Sequence, residues 1–445
     1  MNRTIFHIDV NSAFLSWSAV KRLSEDPNAV DLRTIPSVVG GDVKTRHGIV
    51  TAKSIPAKKY GIQTAEPINS ALSKCPKLVV VSSDFNTYRT YSHAFIDILR
   101  SYSEVIEQVS IDEAFLDVTA LSKIDVSAHL KAIDDYPWFS FYEEQNKTIE
   151  DELKAGFPLN IAAAIRYEIR NRLGFTVNVG ISENKLLAKM ASDFTKPDRS
   201  HTLFPDEIEE KMWPLDIGDL FGCGKRTSER LRSIGIRTIG DAADYDPDLL
   251  MAQLGDRTGE YIAYSSRGYG SDEVHAQRED AKSYSNETTT SSDITSANYD
   301  SDMPPVVRKL SESVSRRMKR DGVFGGTINV SVKTSDFKRY SRQMKIADST
   351  NDADAIYENA MLLLGNLLTG EDGLFEEDIH IRLVGVGADH LDNGEYRQGT
   401  LFDWVSTGKE QVRIEKENSE KKKKLDDMEN YLKEKFGELA IKRGL

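Results

Sequence analysis

Asp112 and Glu113 stand side by side in QVSIDEAFLDVT, residues 108–119, a run otherwise built from Val109, Ile111, Ala114, Phe115, Leu116 and Val118. Successive side chains of a strand point to opposite faces, so one member of an adjacent acidic pair faces the packed side unless the chain turns there. A turn or twist at the pair is therefore expected. Asp9 adds a third carboxylate in an apolar setting, within TIFHIDV, residues 4–10, which reads as a buried strand. Carboxylates brought to one sheet edge by two strands repel one another unless cations join them. Oxygen donors with no His or Cys beside them favour Mg²⁺, with Mn²⁺ able to replace it. Two such ions about 4 Å apart activate an attacking oxygen and neutralise a leaving pyrophosphate. Asp117, the remaining acid of the run, reads as structural.

These acids sit in an alternating pattern of strands and helices that runs to residue 182 and describes an α/β domain. Helical segments at YRTYSHAFIDILRSY and IAAAIRYEIRNRLG separate the strands, and SVVGGDVKTRHGIVTAKS reads as a hairpin broken by Gly40 and Gly41. Residues 183–266 are helical in pattern and 267–281 read as a linker. Beyond it, strands and two helices, at about 303–321 and 352–368, form a second α/β domain. The segment 120–160 carries crowded aromatics (Tyr136, Trp138, Phe139, Phe141, Tyr142), read either as a small excursion on the first domain or as a partner site.

A net charge of −13 argues against a nucleic-acid partner until the charge is located. Residues 305–346 hold eleven Lys or Arg against three acids, a local balance of +8. Within it, NVSVKTSDFKRYSRQMK interleaves basic and apolar residues. LFGCGKRTSERLRSIGIRTIGDAA, residues 220–243, has helix–Gly-x-Gly–helix spacing, with Gly222 and Gly224 freeing backbone amides to approach a phosphate and Lys225 following. The two cysteines, Cys75 and Cys223, fit a reducing, cytoplasmic setting. There is no apolar run of membrane-spanning length and no secretion signal at the start.

FHIDVNSAF together with SIDEAFLDV resembles the paired catalytic motifs of Y-family, translesion DNA polymerases, in the bacterial DNA polymerase IV (DinB) or UmuC-type branch. VGISENKLLAKMASDFTKP, residues 179–197, and IRLVGVGADHL are similar to two further signatures of that family, in the same order along the chain. The resemblance implies a right-hand polymerase, α/β and multidomain. A ferredoxin-like palm would span residues 1–10 and 77–194, small fingers 11–76, and a helix-hairpin-helix thumb 195–266. After the linker, an α/β little finger would span 282–392, with a clamp-binding peptide and charged helical tail at 393–445. It implies addition of deoxynucleotides to a primer 3′ end with low fidelity, in damage tolerance, by a monomer that uses no membrane.

Carried to residues, Asp9, Asp112 and Glu113 would be catalytic, with the Val10 carbonyl completing the metal set. Phe14 would be the steric gate against a 2′-OH, and Lys58 and Lys185 would meet the triphosphate, Lys189 lying one turn after Lys185. The sequence departs from the family at Ile55 and Lys58, where Tyr and Arg are usual. Lys58 keeps the charge but not a planar fork. Gly222, Gly224, Lys225, Lys333, Lys338, Arg339 and Arg342 would touch primer-template DNA. Gln398, Leu401 and Phe402 match the QxxLF spacing of peptides that dock on the bacterial sliding clamp. Two other readings stay open at this point: a palm-like nucleotidyl cyclase, and a non-catalytic family member that binds DNA and the clamp as an adaptor.

Overall fold

The computed structural model describes residues 3–41, 48–124, 143–277, 280–370 and 372–394, with short helical pieces inside 422–431. Two compact units divide it, Met1–Asp280 and Ala281–Leu445.

The first unit is built on a five-stranded sheet. Its strands are β1 (Ile5–Val10), β5 (Ile106–Gln108), β6 (Glu113–Asp117), β7 (Val177–Ser182) and β8 (Ser200–Thr202), in the order β5-β6-β1-β7-β8. β1 lies antiparallel to both β6 and β7, which places the first strand at the centre. Without β8, connectivity and order are those of a ferredoxin-like βαββαβ sheet. Helices Phe85–Tyr102 and Leu159–Leu173 supply its two crossovers. Phe6, Ile8, Val10, Ala114 and Leu116 point into the core beneath those helices.

The opposite face of β1 and β7 carries the helix Lys185–Ser192. Close approach is possible because position 180 is glycine: a Cβ there would lie 1.9 Å from the Ala188 carbonyl and 2.4 Å from Ser192 N. The outer side of the helix gives Leu186, Leu187 and Met190 to a second core with Leu203, Leu220, Leu231, Leu250 and Ile262, which closes the helical segments after residue 200. A smaller sheet, β2 (Ser37–Gly40), β3 (Val50–Lys53) and β4 (Val79–Val81), has its own core around Val38, Val50 and Ile68.

Residues 267–281 depart from a free linker in their first half. Ser271 O accepts from Lys185 N, His275 N donates to Glu107 at 2.9 Å, and Val274 is buried beside Ile5 and Ala188. The apolar Val274 gave the only hint of this in a segment without periodicity. In the expected hairpin at 220–243, what precedes the Gly-x-Gly is a short 3₁₀ turn, Ile217–Asp219, and the full helix comes after it, Lys225–Ser233. The aromatic cluster at 136–142 lies outside the described residues; Glu143–Lys154 is a helix that packs on Leu159–Leu173.

The second unit is an antiparallel sheet ordered β11 (Arg339–Thr350), β10 (Phe324–Thr334), β12 (Ile381–Asp392), β9 (Ser283–Ile294). Helices Tyr299–Asp321 and Ala353–Leu368 cover one face and bury Ile328, Val330, Val332, Val384 and Val386 beneath them. Strand alternation turns Thr327, Asn329, Ser331 and Lys333 to the other face.

Candidate active site

The chain bends at Ser110–Asp112 and β6 begins at Glu113, so the adjacent acids do not lie in one regular strand. Asp112 is fixed at the bend by two local bonds: its backbone carbonyl accepts from Val10 N at 3.0 Å, and Ser110 Oγ donates to Oδ1 at 2.6 Å. Glu113 pairs directly with Asp9 across the β1–β6 ladder, on the face that carries the helix Lys185–Ser192. The sheet thus brings the expected acids to one place from two strands. Among the described residues no group of three His, Cys, Asp or Glu side chains is drawn together closely enough to hold an ion.

Lysines stand against the carboxylates instead. Lys196 Nζ lies 2.6 Å from Asp9 Oδ2, and Lys189 Nζ lies 2.7 Å from Glu113 Oε2 and 3.8 Å from Asp9 Oδ2. His7, almost wholly buried, contacts the same Glu113 oxygen at 3.2 Å. The hydrogen bond with His7 is the largest influence on Glu113; with the Lys189 bond and charge it outweighs desolvation and pulls the carboxyl down to about 2. Asp112 moves the other way: desolvation first, then the charges of Asp9 and Glu113, raise its pKa against the Ser110 bond. Burial lowers the pKa of His7.

Lys185 does not reach this cluster. It is held by both oxygens of Glu107, at 2.9 and 3.1 Å, and lies over the Phe115 ring. Sequence reasoning missed His7 and Lys196; the signal for Lys196 was its place at the end of the third signature stretch. Its segment is anchored deep in the protein. The buried Asp198 takes Arg166 Nε at 3.0 Å and Arg170 Nη1 at 3.3 Å, and its backbone N donates to Asn11 Oδ1.

Phe14 is half-buried, stacked on Tyr88 with ring centroids 4.7 Å apart and edge-on to Phe85. Ser12, just before it, turns through φ 50 at the start of the helix Ala13–Glu25. Lys58 is exposed at the end of the short helix Ile55–Lys58. Asp117 accepts from the N and Oγ1 of Thr119, at the start of a 3₁₀ turn, Thr119–Lys123. Gly222 has φ +83, and a Cβ there would clash with the Tyr261 ring; Gly224 opens the helix Lys225–Ser233, where Lys225 is fully open to solvent.

In the second unit, Lys333 and Arg339 are cross-strand partners on the helix-free face, and Lys338 sits in the turn beside them. Arg342 pairs with Val330, whose side chain faces the helices, so register puts Arg342 on the helix side of the edge strand. The basic segment is therefore split between two faces: Arg308, Lys309, Arg316, Arg317, Lys319 and Arg320 belong to the helix Tyr299–Asp321. The sequence window could not show that its first half is a helix laid on the back of the sheet. Gln398, Leu401 and Phe402 lie outside the described residues.

Comparison with known proteins gives three family matches along the chain. Residues 8–193 match the impB/mucB/samB family, 205–236 the helix-hairpin-helix motif of that family, and 281–401 its C-terminal domain. DNA polymerase IV of Clostridium acetobutylicum is 37% identical over 448 aligned residues, covering 100% of this chain and 98% of the relative. DNA polymerase IV 1 of Bacillus subtilis is 30% identical, covering 100% and 93%. A solved Y-family DNA polymerase chimera superposes with a TM-score of 0.67 at 22% identity, covering 87% of this chain and 98% of that one, which establishes the fold. The resemblance read from the motifs is borne out: the chain belongs to the impB/mucB/samB family, the Y-family polymerases of the DNA polymerase IV type.

Proposed function

We propose that the protein is a template-directed DNA polymerase of the translesion type, which adds deoxynucleotides to a primer 3′ end. The observation that carries this reading is the pairing of Asp9 with Glu113 across β1 and β6, with Asp112 at the adjoining bend and Lys189 and Lys196 against the acids. The acids offer oxygen donors, and burial first, then the charges of Asp9 and Glu113, already push Asp112 toward protonation, so the set suits hard divalent cations. Asp9, Asp112 and Glu113, with the Val10 carbonyl, would hold them. Two Mg²⁺ ions bound there would supply activation of the primer hydroxyl and neutralisation of the leaving pyrophosphate.

The chain's own residues do the rest. Lys196 and Lys189 are cations paired with the acids, placed to pass onto triphosphate oxygens once the carboxylates are taken up by metal. In this reading Lys196 replaces Lys185 as the nearer triphosphate lysine, and Lys58 adds a point charge. The Phe14 ring, braced by Tyr88, would exclude a 2′-OH. Palm, fingers and thumb would follow the bounds expected from sequence. In the second unit, the helix-free face with Lys333, Lys338 and Arg339 offers charge and hydroxyls to a phosphate backbone without reading sequence. Arg342 would reach DNA only from the edge of that sheet. A QxxLF tether to a sliding clamp, a monomeric state and a cytoplasmic location complete the proposal; no helix among the described residues is long and apolar enough to cross a membrane.

The test is extension of a labelled primer past one abasic or bulky-adduct site with Mg²⁺ and four deoxynucleotides, with Asp112→Ala beside the wild type. Extension by wild type alone supports the assignment. No extension by either, with Mn²⁺ and clamp supplied on undamaged template, leaves the adaptor reading in its place. A template-independent reaction on free triphosphate would instead favour the cyclase.

A further inference from the structure

Glu113 is held from one side only. Its Oε2 receives both Lys189 Nζ, at 2.7 Å, and His7 Nε2, at 3.2 Å, whereas Oε1 has no protein hydrogen bond among the described residues. Behind the ring, His7 Nδ1 lies 2.8 Å from Ser192 Oγ, and that oxygen lies 2.8 Å from the Lys189 carbonyl. The contacts close a loop from β1 through the helix Lys185–Ser192 to β6 and back.

The ring is held at both nitrogens: Nδ1 lies against Ser192 Oγ, whose hydroxyl also reaches the Lys189 carbonyl, and Nε2 lies against Glu113 Oε2, where an Nε2–H donates to the carboxylate. His7 is too buried to meet a substrate, and the Phe115 ring, 4.8 Å away by centroid, packs against it.

We infer that His7 is a positioning residue for nucleotidyl transfer, fixing Glu113 so that Oε2 faces the protein and Oε1 is the oxygen left for a divalent cation. The inference rests on the proposed polymerase reading. Groups that orient a metal ligand in this way typically change metal affinity 10–100-fold when removed. Ser192 supports His7 from behind and acts on Glu113 only through it.

The experiment measures Mn²⁺ binding to the full chain by loss of the free-ion electron paramagnetic resonance signal, without turnover, alongside melting temperature and steady-state extension. Variants are His7→Phe, which keeps a ring but no N–H, His7→Gln, which keeps a donor, Ser192→Ala and Asp112→Ala. His7→Phe is expected to weaken Mn²⁺ about tenfold, and to lower kcat with little change in KM for the nucleotide. His7→Gln should recover most of both. Ser192→Ala should give a smaller loss that does not add to that of His7→Phe.

Wild-type Mn²⁺ affinity and kcat in His7→Phe, with only a lower melting temperature, would overturn the inference. If His7→Phe does not fold, unchanged Mn²⁺ affinity in Ser192→Ala overturns it. If Asp112→Ala also binds Mn²⁺ as wild type does, the metal-site reading itself fails, whatever His7 does.

Discussion

Asp9 and Glu113 face each other across the β1–β6 ladder, and each is neutralised by a different lysine: Lys196 at 2.6 Å and Lys189 at 2.7 Å. Without these ammonium groups, the like charges on adjacent strands would strain the middle of the sheet. The lysines come from one helix and the turn just after it, so the same tight packing that sets the helix on β7 also sets the charge balance.

Adjacent acids respond to pH with opposite sign in metal-free buffer. Glu113 is pulled from 4.5 to about 2, so its contribution is complete above its ordinary value and lost as pH falls toward 2. Asp112 is raised, so its ionised form costs stability at neutral pH and the cost fades as acid protonates it. Glu113→Gln should therefore melt below wild type at pH 7 and converge with it in strong acid. Asp112→Asn should melt above wild type at pH 7 while extending no primer. Thermal melts in chelator across pH 2–8 check both signs.

Lys185, the triphosphate lysine expected from the motif, and Lys196, which the structure sets against Asp9, separate by kinetics. Lys196→Ala should raise the nucleotide KM about tenfold, the worth of one charge-assisted phosphate contact. Lys185→Ala should leave KM nearly unchanged and loosen residues 271–275, whose His275 N shares Glu107 with it. Steady-state single-nucleotide insertion, with hydrogen exchange of that segment, distinguishes them.

Asp198 is fully buried between Arg166 and Arg170, at a backbone φ of 56 that Asn tolerates. Asp198→Asn keeps the shape and removes the negative charge between the two guanidinium groups, of which Arg166 keeps its pair with Glu152. A loss of about 3–5 kcal/mol is expected in denaturant unfolding, with Lys196 displaced and extension reduced in the surviving folded fraction.

Gly180→Ala asks for space the helix Lys185–Ser192 already occupies, since the added carbon would meet backbone atoms at 1.9 and 2.4 Å. Overpacking of this kind costs about 3 kcal/mol or more. The helix can yield only by lifting Lys189 off Glu113, so melting temperature and extension rate should fall together.

On the helix-free face of the second unit, Lys333 and Arg339 are neighbours across β10 and β11. Replacing both with Ala should weaken primer-template binding about equally for unrelated sequences and reduce the slope of log affinity against log salt by about 2. The same change at Lys309 and Arg316, on the helix covering the other face, should leave that slope nearly intact. Fluorescence anisotropy at several salt concentrations reads both.

The alternation of strands and helices around Asp9 was legible because buried strands and crossover helices carry distinct periods, the ferredoxin-like order came only with the family resemblance, and the bend at Asp112 followed from two adjacent charges that a regular strand cannot place. His7 and Lys196 were not legible. Each is a common residue type whose role depends on a partner more than 100 positions away, Glu113 for His7 and Asp9 for Lys196. The basic window misled for a related reason: charge summed along a sequence does not say that a helix and a hairpin send it to opposite sides of one sheet. Nor could the lack of periodicity in 267–281 reveal that Val274 is a core residue.

That last segment sets where the protein can be cut. Val274 and His275 are clasped by the first unit, and β9 of the second opens at Ser283. A chimaera that exchanges the second unit between relatives should therefore join after His275. A junction at Arg267 would import a foreign clasp and disturb Glu107 and Lys185, whereas one after His275 leaves the clasp native to the first unit.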